Sequence, residues 1–218
     1  ILDFCLSRGL GDVYKRQIWT PPSDLREHIG RAKKGQGINQ KGDPFSDDQQ
    51  ILDFLKTLPI DSPFKKDADA ATRWNNAFCL MAELGLRPTE VNKLIIKKDP
   101  TTKEFYWFCT YEKKGGGGTT EPRRIEPLPL LDRDGKEVQW NLIDRFRANL
   151  LPLPERVDGD ACKVYLQRRE GWKQLKEMMK KKEGSNLVPY SFRHYYSLRG
   201  HIAGIDSGSM ASSMGHSI

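Results

Sequence analysis

A short segment toward the carboxyl end of the chain concentrates arginine, histidine and tyrosine. Residues 189–201 read PYSFRHYYSLRGH, and Pro189 suits the start of a helix because its missing N–H would find no partner there anyway. An arginine presents a planar fork of N–H groups that can bind a phosphate through two parallel hydrogen bonds. The segment therefore raises two questions: whether Arg193 binds phosphate, and whether Tyr195 or Tyr196 is a nucleophile.

The charge balance of the chain favours an anionic partner. Its 218 residues include 36 lysines and arginines against 29 aspartates and glutamates, so the net charge is +7. Such a balance points to nucleic acid first. No window approaches the roughly 18 consecutive apolar residues of a membrane span, so no membrane partner is expected.

The cysteines do not indicate a metal site. Cys79, Cys109 and Cys162 are scattered, without a CxxC pair and without a histidine at ligand spacing. We interpret them as buried thiols of a protein from a reducing compartment, and we expect no metal.

Composition divides the chain into three parts. Residues 7–17, SRGLGDVYKRQ, resemble a translation of the adapter and transposon-end DNA used in transposase-based library preparation, so we expect residues 1–17 to be non-native. Residues 18–42 are polar, basic and punctuated by glycine and proline, which is typical of a linker or the remnant of a lost segment. We expect the folded domain to span residues 43–218.

The patterns within that domain predict an α+β fold that is mostly helical. Five segments have a helical period of apolar residues: about 51–58, 67–84, 88–95, 138–150 and 160–182. Ser46 is the expected N-cap of the first helix, and Gly85 the left-handed cap of the second. Alternation over 104–112 and the segment 123–130 predict two strands of a small antiparallel sheet, joined by a glycine-rich loop.

Four stretches stand out together for their order and spacing: LGLRPTEV (84–91), YEKKGGGG (111–118), PYSFRHYYSLRGH (189–201) and SSMGHSI (212–218). Over residues 43–218 they resemble the catalytic domain of the tyrosine recombinases, the phage-integrase family. Residues 199–217 look similar to integrases of cyanobacteria. The resemblance implies a small antiparallel sheet packed on a helical bundle. It also implies that residues 18–42 are a linker or the remnant of an N-terminal core-binding domain.

The resemblance implies site-specific DNA recombination or integration, by strand cleavage and rejoining through a 3′-phosphotyrosine intermediate. Arg87 and Arg193 match the two arginines with which the family neutralises the charge that builds on the phosphate. Glu90 matches the acidic residue that supports the first arginine, and pairing at i, i+3 is geometrically sound.

The same resemblance assigns the remaining catalytic groups. The general acid that protonates the leaving 5′ oxygen is a hairpin lysine, here Lys113 or Lys114. His216 matches the histidine that donates a hydrogen bond to the phosphate. Tyr190 stands where the family usually has a histidine, and a phenol donates a hydrogen bond without carrying positive charge near pH 7. Neither metal nor other cofactor is implied.

The tyrosines of the 189–201 segment do not match the family nucleophile. Tyr195 and Tyr196 share the helix of Arg193, and aromatic residues at helical spacing are usually core residues. The family's tyrosine lies beyond the Gly-His-Ser motif, so we expect it after Ile218. The catalytic domain is then truncated before its nucleophile, and the chain as given is inactive for cleavage.

Other cations of the chain fit a DNA groove or a structural role. The side chains expected to line one positive groove are Arg87, Lys113 or Lys114, Arg123, Arg193 and the lysines at 180–182. His194, Arg199 and His201 fit helix packing and contacts to backbone phosphates equally well.

Double-stranded DNA is the expected partner, and the resemblance adds self-association on DNA as a tetrameric synapse. The expected location is cytoplasmic and nucleoid-associated, in bacteria or phage. Two alternatives stay open: a non-catalytic DNA-binding or accessory protein of the same fold, and an enzyme like a type IB topoisomerase, which relaxes DNA without synapsis.

Overall fold

A computed structural model of the protein describes residues 42–112 and 120–215. The predictions for residues 1–17 and 18–41, and those for Lys113, Lys114 and His216, lie outside the described residues.

Two helices open the described domain, α1 (Asp48–Lys56) and α2 (Lys65–Leu84). The side chain of Asp47 caps α1 by accepting a hydrogen bond from the backbone N–H of Gln50 at 2.8 Å. The predicted cap at Ser46 is therefore wrong, because its hydroxyl donates to the Glu183 carboxylate instead. Gly85 ends α2 with φ of +62°, so the predicted left-handed cap is confirmed.

A three-stranded antiparallel sheet follows, in the order β1 (Leu94–Lys98), β2 (Phe105–Cys109) and β3 (Arg123–Ile125). Leu94 lies opposite Cys109, which lies opposite Arg123 on the other side. The helix predicted to continue to residue 95 is wrong: a short 3₁₀ helix (Pro88–Lys93) ends first. The next residues, Leu-Ile-Ile, join the ladder because β-branched side chains favour strands.

Five helices complete the described part of the chain: α3 (Leu142–Arg147), α4 (Gly159–Gln167), α5 (Glu170–Glu183), α6 (Ser191–Ile202) and α7 (Ser207–Met214). The single helix predicted over 160–182 is two helices, separated at residues 168–169. The predicted α+β class, mostly helical with a small antiparallel sheet, is confirmed. Within residues 42–112 and 120–215 no helix is long and apolar enough to cross a bilayer.

The main core forms where α6 packs against α2. The ring of Phe192 stacks on that of Phe78, with centroids 5.4 Å apart and planes 7° apart, and it also contacts Phe45. A smaller cluster of Tyr196, Met210 and related apolar side chains holds α7 against α6. This packing brings the corner after α2, the first turn of α6 and the end of α7 to one place.

Candidate anion-binding site

Three arginines converge on one buried carboxylate, that of Glu90, which is fully shielded from solvent. Arg87 Nη1 and Arg123 Nη2 both donate to Glu90 Oε1, at 2.6 and 3.0 Å. Arg193 Nη1 lies 3.5 Å from Glu90 Oε2. We call these four residues the arginine cluster, and its three cations and one anion leave a net charge of +2.

Local structure places the first pair. Arg87 is the N-cap of the 3₁₀ helix, and its backbone N–H donates to Glu90 Oε2 at 2.8 Å. Pro88 follows at the first position of this helix, where no N–H is needed. The i, i+3 pairing predicted for Arg87 and Glu90 is therefore present. The Arg87 side chain is 16% exposed, more than either other arginine of the cluster.

Arg193 is the most deeply buried arginine of the cluster. It is the third residue of α6, and its side chain is 2% exposed. Its Nη1 donates to the Gly85 carbonyl at 2.7 Å, and its Nη2 donates to the Met214 carbonyl. Because two backbone carbonyls from different elements orient the guanidinium, its position depends on the packing of α2, α6 and α7.

Arg123 is the third cation, and it enters from β3. Its Nε donates to the Ser213 carbonyl at 2.7 Å while its Nη2 binds Glu90. Its Nη1 is buried and has no hydrogen-bond partner among the described residues. Sequence reasoning placed Arg123 along the positive groove and did not pair it with Glu90. The available signal was strand alternation, which puts Arg123 and Ile125 on the same buried face.

The electrostatics of the cluster keep its members ionised. Burial works to raise the pKa of Glu90, but Arg123 and Arg193 hold it below its ordinary value. Burial works to lower the pKa of Arg87, yet Glu90 and then Tyr190 raise it above its usual value. Burial and the neighbouring Arg87 lower the pKa of Arg193 to about 10, which leaves it protonated at pH 7. The positive excess is therefore present at neutral pH.

Tyr190 borders the cluster, whereas the two following tyrosines do not face it. Tyr190 is 38% exposed, and its ring lies 5.7 Å from that of His194, which is also exposed. Tyr195 and Tyr196 are buried, and the Tyr196 hydroxyl donates to the Glu126 carbonyl at 2.7 Å. Both behave as core residues, and burial raises the pKa of each phenol.

Of the two roles predicted for Arg199, helix packing and contacts to backbone phosphates, the structure shows the first. It donates to the carbonyls of Leu128 and Pro129 at 2.8 Å and to that of Ala82, and so joins α6 to α2 and to the segment after β3. His201 is exposed.

The cysteines at 79, 109 and 162 are buried and unbridged, as predicted. Among the described residues, no group of three or more histidine, cysteine, aspartate or glutamate side chains is arranged to hold a metal ion.

No protein-family model and no curated protein sequence matches the chain. Among solved structures, the Tn1549 transposon integrase in complex with circular intermediate DNA is 17% identical with a TM-score of 0.42, over 80% of this chain and 59% of that one. The XerH site-specific recombinase bound to difH substrate is 13% identical with a TM-score of 0.45, over 82% and 48%. The same Tn1549 integrase in complex with transposon right end DNA is 16% identical with a TM-score of 0.44, over 99% and 70%.

This chain thus spans about half to two thirds of the length of those structures. At 13–17% identity and TM-scores of 0.42–0.45, the likenesses carry no inference about activity.

Proposed function

We propose that residues 43–218 are the catalytic domain of a site-specific DNA recombinase of the tyrosine type, and that Arg87 and Arg193 of the arginine cluster bind the scissile phosphate. The observation that carries the proposal is the convergence of three guanidinium groups on one buried carboxylate. The four sequence stretches that resemble the tyrosine recombinases support it independently, because two of these arginines occupy the positions that the resemblance marks.

The excess charge of the cluster calls for an anion. Burying an ionised group costs several kcal/mol even after relaxation, and attraction to Glu90 offsets that cost for one of the three cations. A phosphodiester carries one negative charge, and attack by an ionised nucleophile adds a second in the transition state. A fixed charge of +2 therefore complements the transition state better than the ground state, as catalysis requires.

The proposed reaction is a transesterification. A tyrosine hydroxyl loses its proton to solvent, and its oxygen attacks phosphorus and forms the phosphotyrosine bond, while the bond from phosphorus to the 5′ oxygen breaks. Arg87 and Arg193 bind the non-bridging oxygens, and Lys113 or Lys114 gives its proton to the leaving 5′ oxygen. The reverse attack by a 5′ hydroxyl rejoins the strand, so the bond energy is retained without a nucleotide cofactor.

The remaining roles follow the same proposal. Tyr190 and His216 donate hydrogen bonds to the phosphate, and the nucleophile is a tyrosine supplied from beyond Ile218. Tyr195 and Tyr196 are unsuitable because their side chains are buried in the core. The partner is duplex DNA, on which the protein self-associates.

Covalent trapping on a nicked suicide substrate tests the proposal, with the chain extended by its native continuation. Arg87→Lys and Arg193→Lys each keep the charge but lose the planar fork, so adduct formation should fall by about 10²–10³-fold. Duplex binding should change only a few-fold, because one phosphate contact among many matters little to affinity. Arg133→Lys, at an exposed arginine paired with Asp53, is the matched control and should trap normally.

Four outcomes would count against the proposal. Parallel loss of binding and trapping in both variants would mean that the arginines only dock DNA. DNA binding without any adduct in the extended chain would favour the accessory protein, and supercoil relaxation without recombination of paired sites would favour the topoisomerase-like enzyme. An adduct formed by the 218-residue chain and removed by Tyr195→Phe or Tyr196→Phe would overturn the assignment of the nucleophile.

A further inference from the structure

The carboxyl end of α7 is docked onto the arginine cluster by side chains from two other elements. Consecutive carbonyls of Ser213 and Met214 accept hydrogen bonds from Arg123 Nε and Arg193 Nη2. The next carbonyl, that of Gly215, accepts from the Thr120 hydroxyl at 3.3 Å. Three successive carbonyls at this helix end therefore have donors from outside the helix.

This contact is electrostatically favourable in both directions. The carbonyls at a helix C-terminus carry partial negative charge, and cations near them stabilise the helix end. The last turn of α7 contains no basic residue of its own. Arg123 and Arg193 take that role, and the helix end in turn offsets part of the positive excess of the cluster.

The fit at Gly215 is too close for any other residue. Gly215 has φ of +65°, a conformation that disfavours L side chains, and a Cβ there would lie 2.7 Å from Cζ and Nη1 of Arg123. The backbone of Gly215 thus rests directly against the Arg123 guanidinium. The contact therefore fixes the end of α7 against Arg123.

We infer that Arg123 is a positioning residue of the proposed active site. Its Nη2 holds the carboxylate that supports Arg87, while its Nε holds the end of α7, so one guanidinium sets the distance between the phosphate site and the end of α7. The inference rests on the proposed function. A displacement of about 1 Å at a reacting group can cost about 100-fold in rate, so loss of this link slows cleavage without removing a phosphate contact.

Hydrogen exchange on the 218-residue chain tests the link without any need for activity. Arg123→Lys retains the charge but cannot reach both Glu90 and Ser213, so amides of residues 207–215 should exchange at least tenfold faster, while α2 keeps its protection. Arg87→Gln is the matched control, because it alters the same carboxylate pairing without a contact to α7, and it should leave residues 207–215 protected. Unchanged exchange in Arg123→Lys would overturn the inference.

Two milder variants keep the test decisive if Arg123→Lys unfolds the domain. Gly215→Ala should push the helix end off Arg123, whereas Gly204→Ala, also at positive φ but with open space around it, should not. Thr120→Val removes one donor at nearly constant volume. Gly215→Ala and Thr120→Val should both speed exchange of residues 207–215, and unchanged exchange in both would refute the docking role.

Activity of the extended enzyme separates this inference from the proposed function. Arg123→Lys and Gly215→Ala should lower the trapping rate about 100-fold with duplex affinity changed less than about threefold. Wild-type protein that neither binds nor cleaves DNA would refute the proposed function. Wild-type protein that cleaves, with both variants cleaving equally fast, would refute only the positioning role of Arg123.

Discussion

At the scale of single residues, Glu90 decides whether the three arginines can share one buried site. Burial favours its neutral form, but Arg123 and Arg193 lower its pKa below the ordinary 4.5. The ionised carboxylate therefore adds stability at pH values above 4.5, and that stability is lost as the pH falls through the lowered pKa. The same carboxylate orients Arg87, because it accepts hydrogen bonds from both the guanidinium and the backbone N–H of that residue.

Replacing Glu90 by glutamine should destabilise the fold strongly. The amide keeps the shape but raises the net charge of the cluster from +2 to +3, and removal of one partner from a buried ion pair costs about 3–5 kcal/mol. Urea denaturation at pH 7 measures the loss. Glu155→Gln, at an exposed glutamate, should change the free energy of unfolding by less than about 0.5 kcal/mol.

The free energy of unfolding measured at acidic pH gives a second test of Glu90→Gln. Wild-type protein should lose stability below pH 4.5 more steeply than Glu90→Gln, because the variant has no carboxylate to protonate there. Equal acid profiles would mean that folding leaves the pKa of Glu90 unchanged, which would contradict its lowering by the arginines.

At the scale of elements, the site depends on the corner that follows α2. Gly85 turns the chain at positive φ, and the next residues place Arg87 beside Tyr190, the N-cap of α6. A Cβ at Gly85 would lie 2.3 Å from the ring of Tyr196, so the corner packs directly on α6. The Gly85 carbonyl also binds Arg193, which makes the corner part of the site itself.

Gly85→Ala should therefore cost more than the conformational penalty alone. A left-handed alanine costs about 1–2 kcal/mol, and displacement of the buried Tyr196 ring adds about 1–3 kcal/mol for overpacking. Gly184→Ala is the matched control, because Gly184 ends α5 at φ of +66° with open space around it. Urea denaturation of both variants isolates the packing contribution to the free energy of unfolding. Equal losses of stability would show that the Tyr196 ring moves aside without cost.

At the scale of the whole molecule, the net charge of +7 should dominate DNA affinity. Each phosphate neutralised by a lysine or arginine releases condensed counterions, so the logarithm of the binding constant falls linearly with the logarithm of salt concentration. The basic residues of the proposed groove come from separate elements, among them the start of the 3₁₀ helix, α5 and α6.

Affinity for duplex DNA should consequently fall about 10²–10³-fold between roughly 50 and 200 mM salt, if about five phosphates are contacted. Fluorescence anisotropy with a labelled duplex measures the slope. Arg87→Gln should reduce the slope by about one, and Arg133→Gln, distant in sequence and exposed, serves as the comparison. Affinity that hardly changes with salt would contradict an electrostatic DNA groove.

The sequence by itself determined those features that depend on neighbours within a turn or two. The Gly85 cap, the Arg87–Glu90 pair and the alternating strand at residues 105–109 follow from local backbone preferences and i, i+3 geometry. The α+β class follows from the periods of the apolar residues, which decide which face of each element is buried.

Only the tertiary structure decided what converges on Glu90. Arg123 lies 33 residues from Glu90 in the chain, and Ser213 lies 90 residues from Arg123, so no local rule relates them. The break between α4 and α5 was likewise set by packing, which overrides weak local propensity. Side chains from distant elements meet only where the burial of apolar faces brings those elements together, and that requires the whole fold.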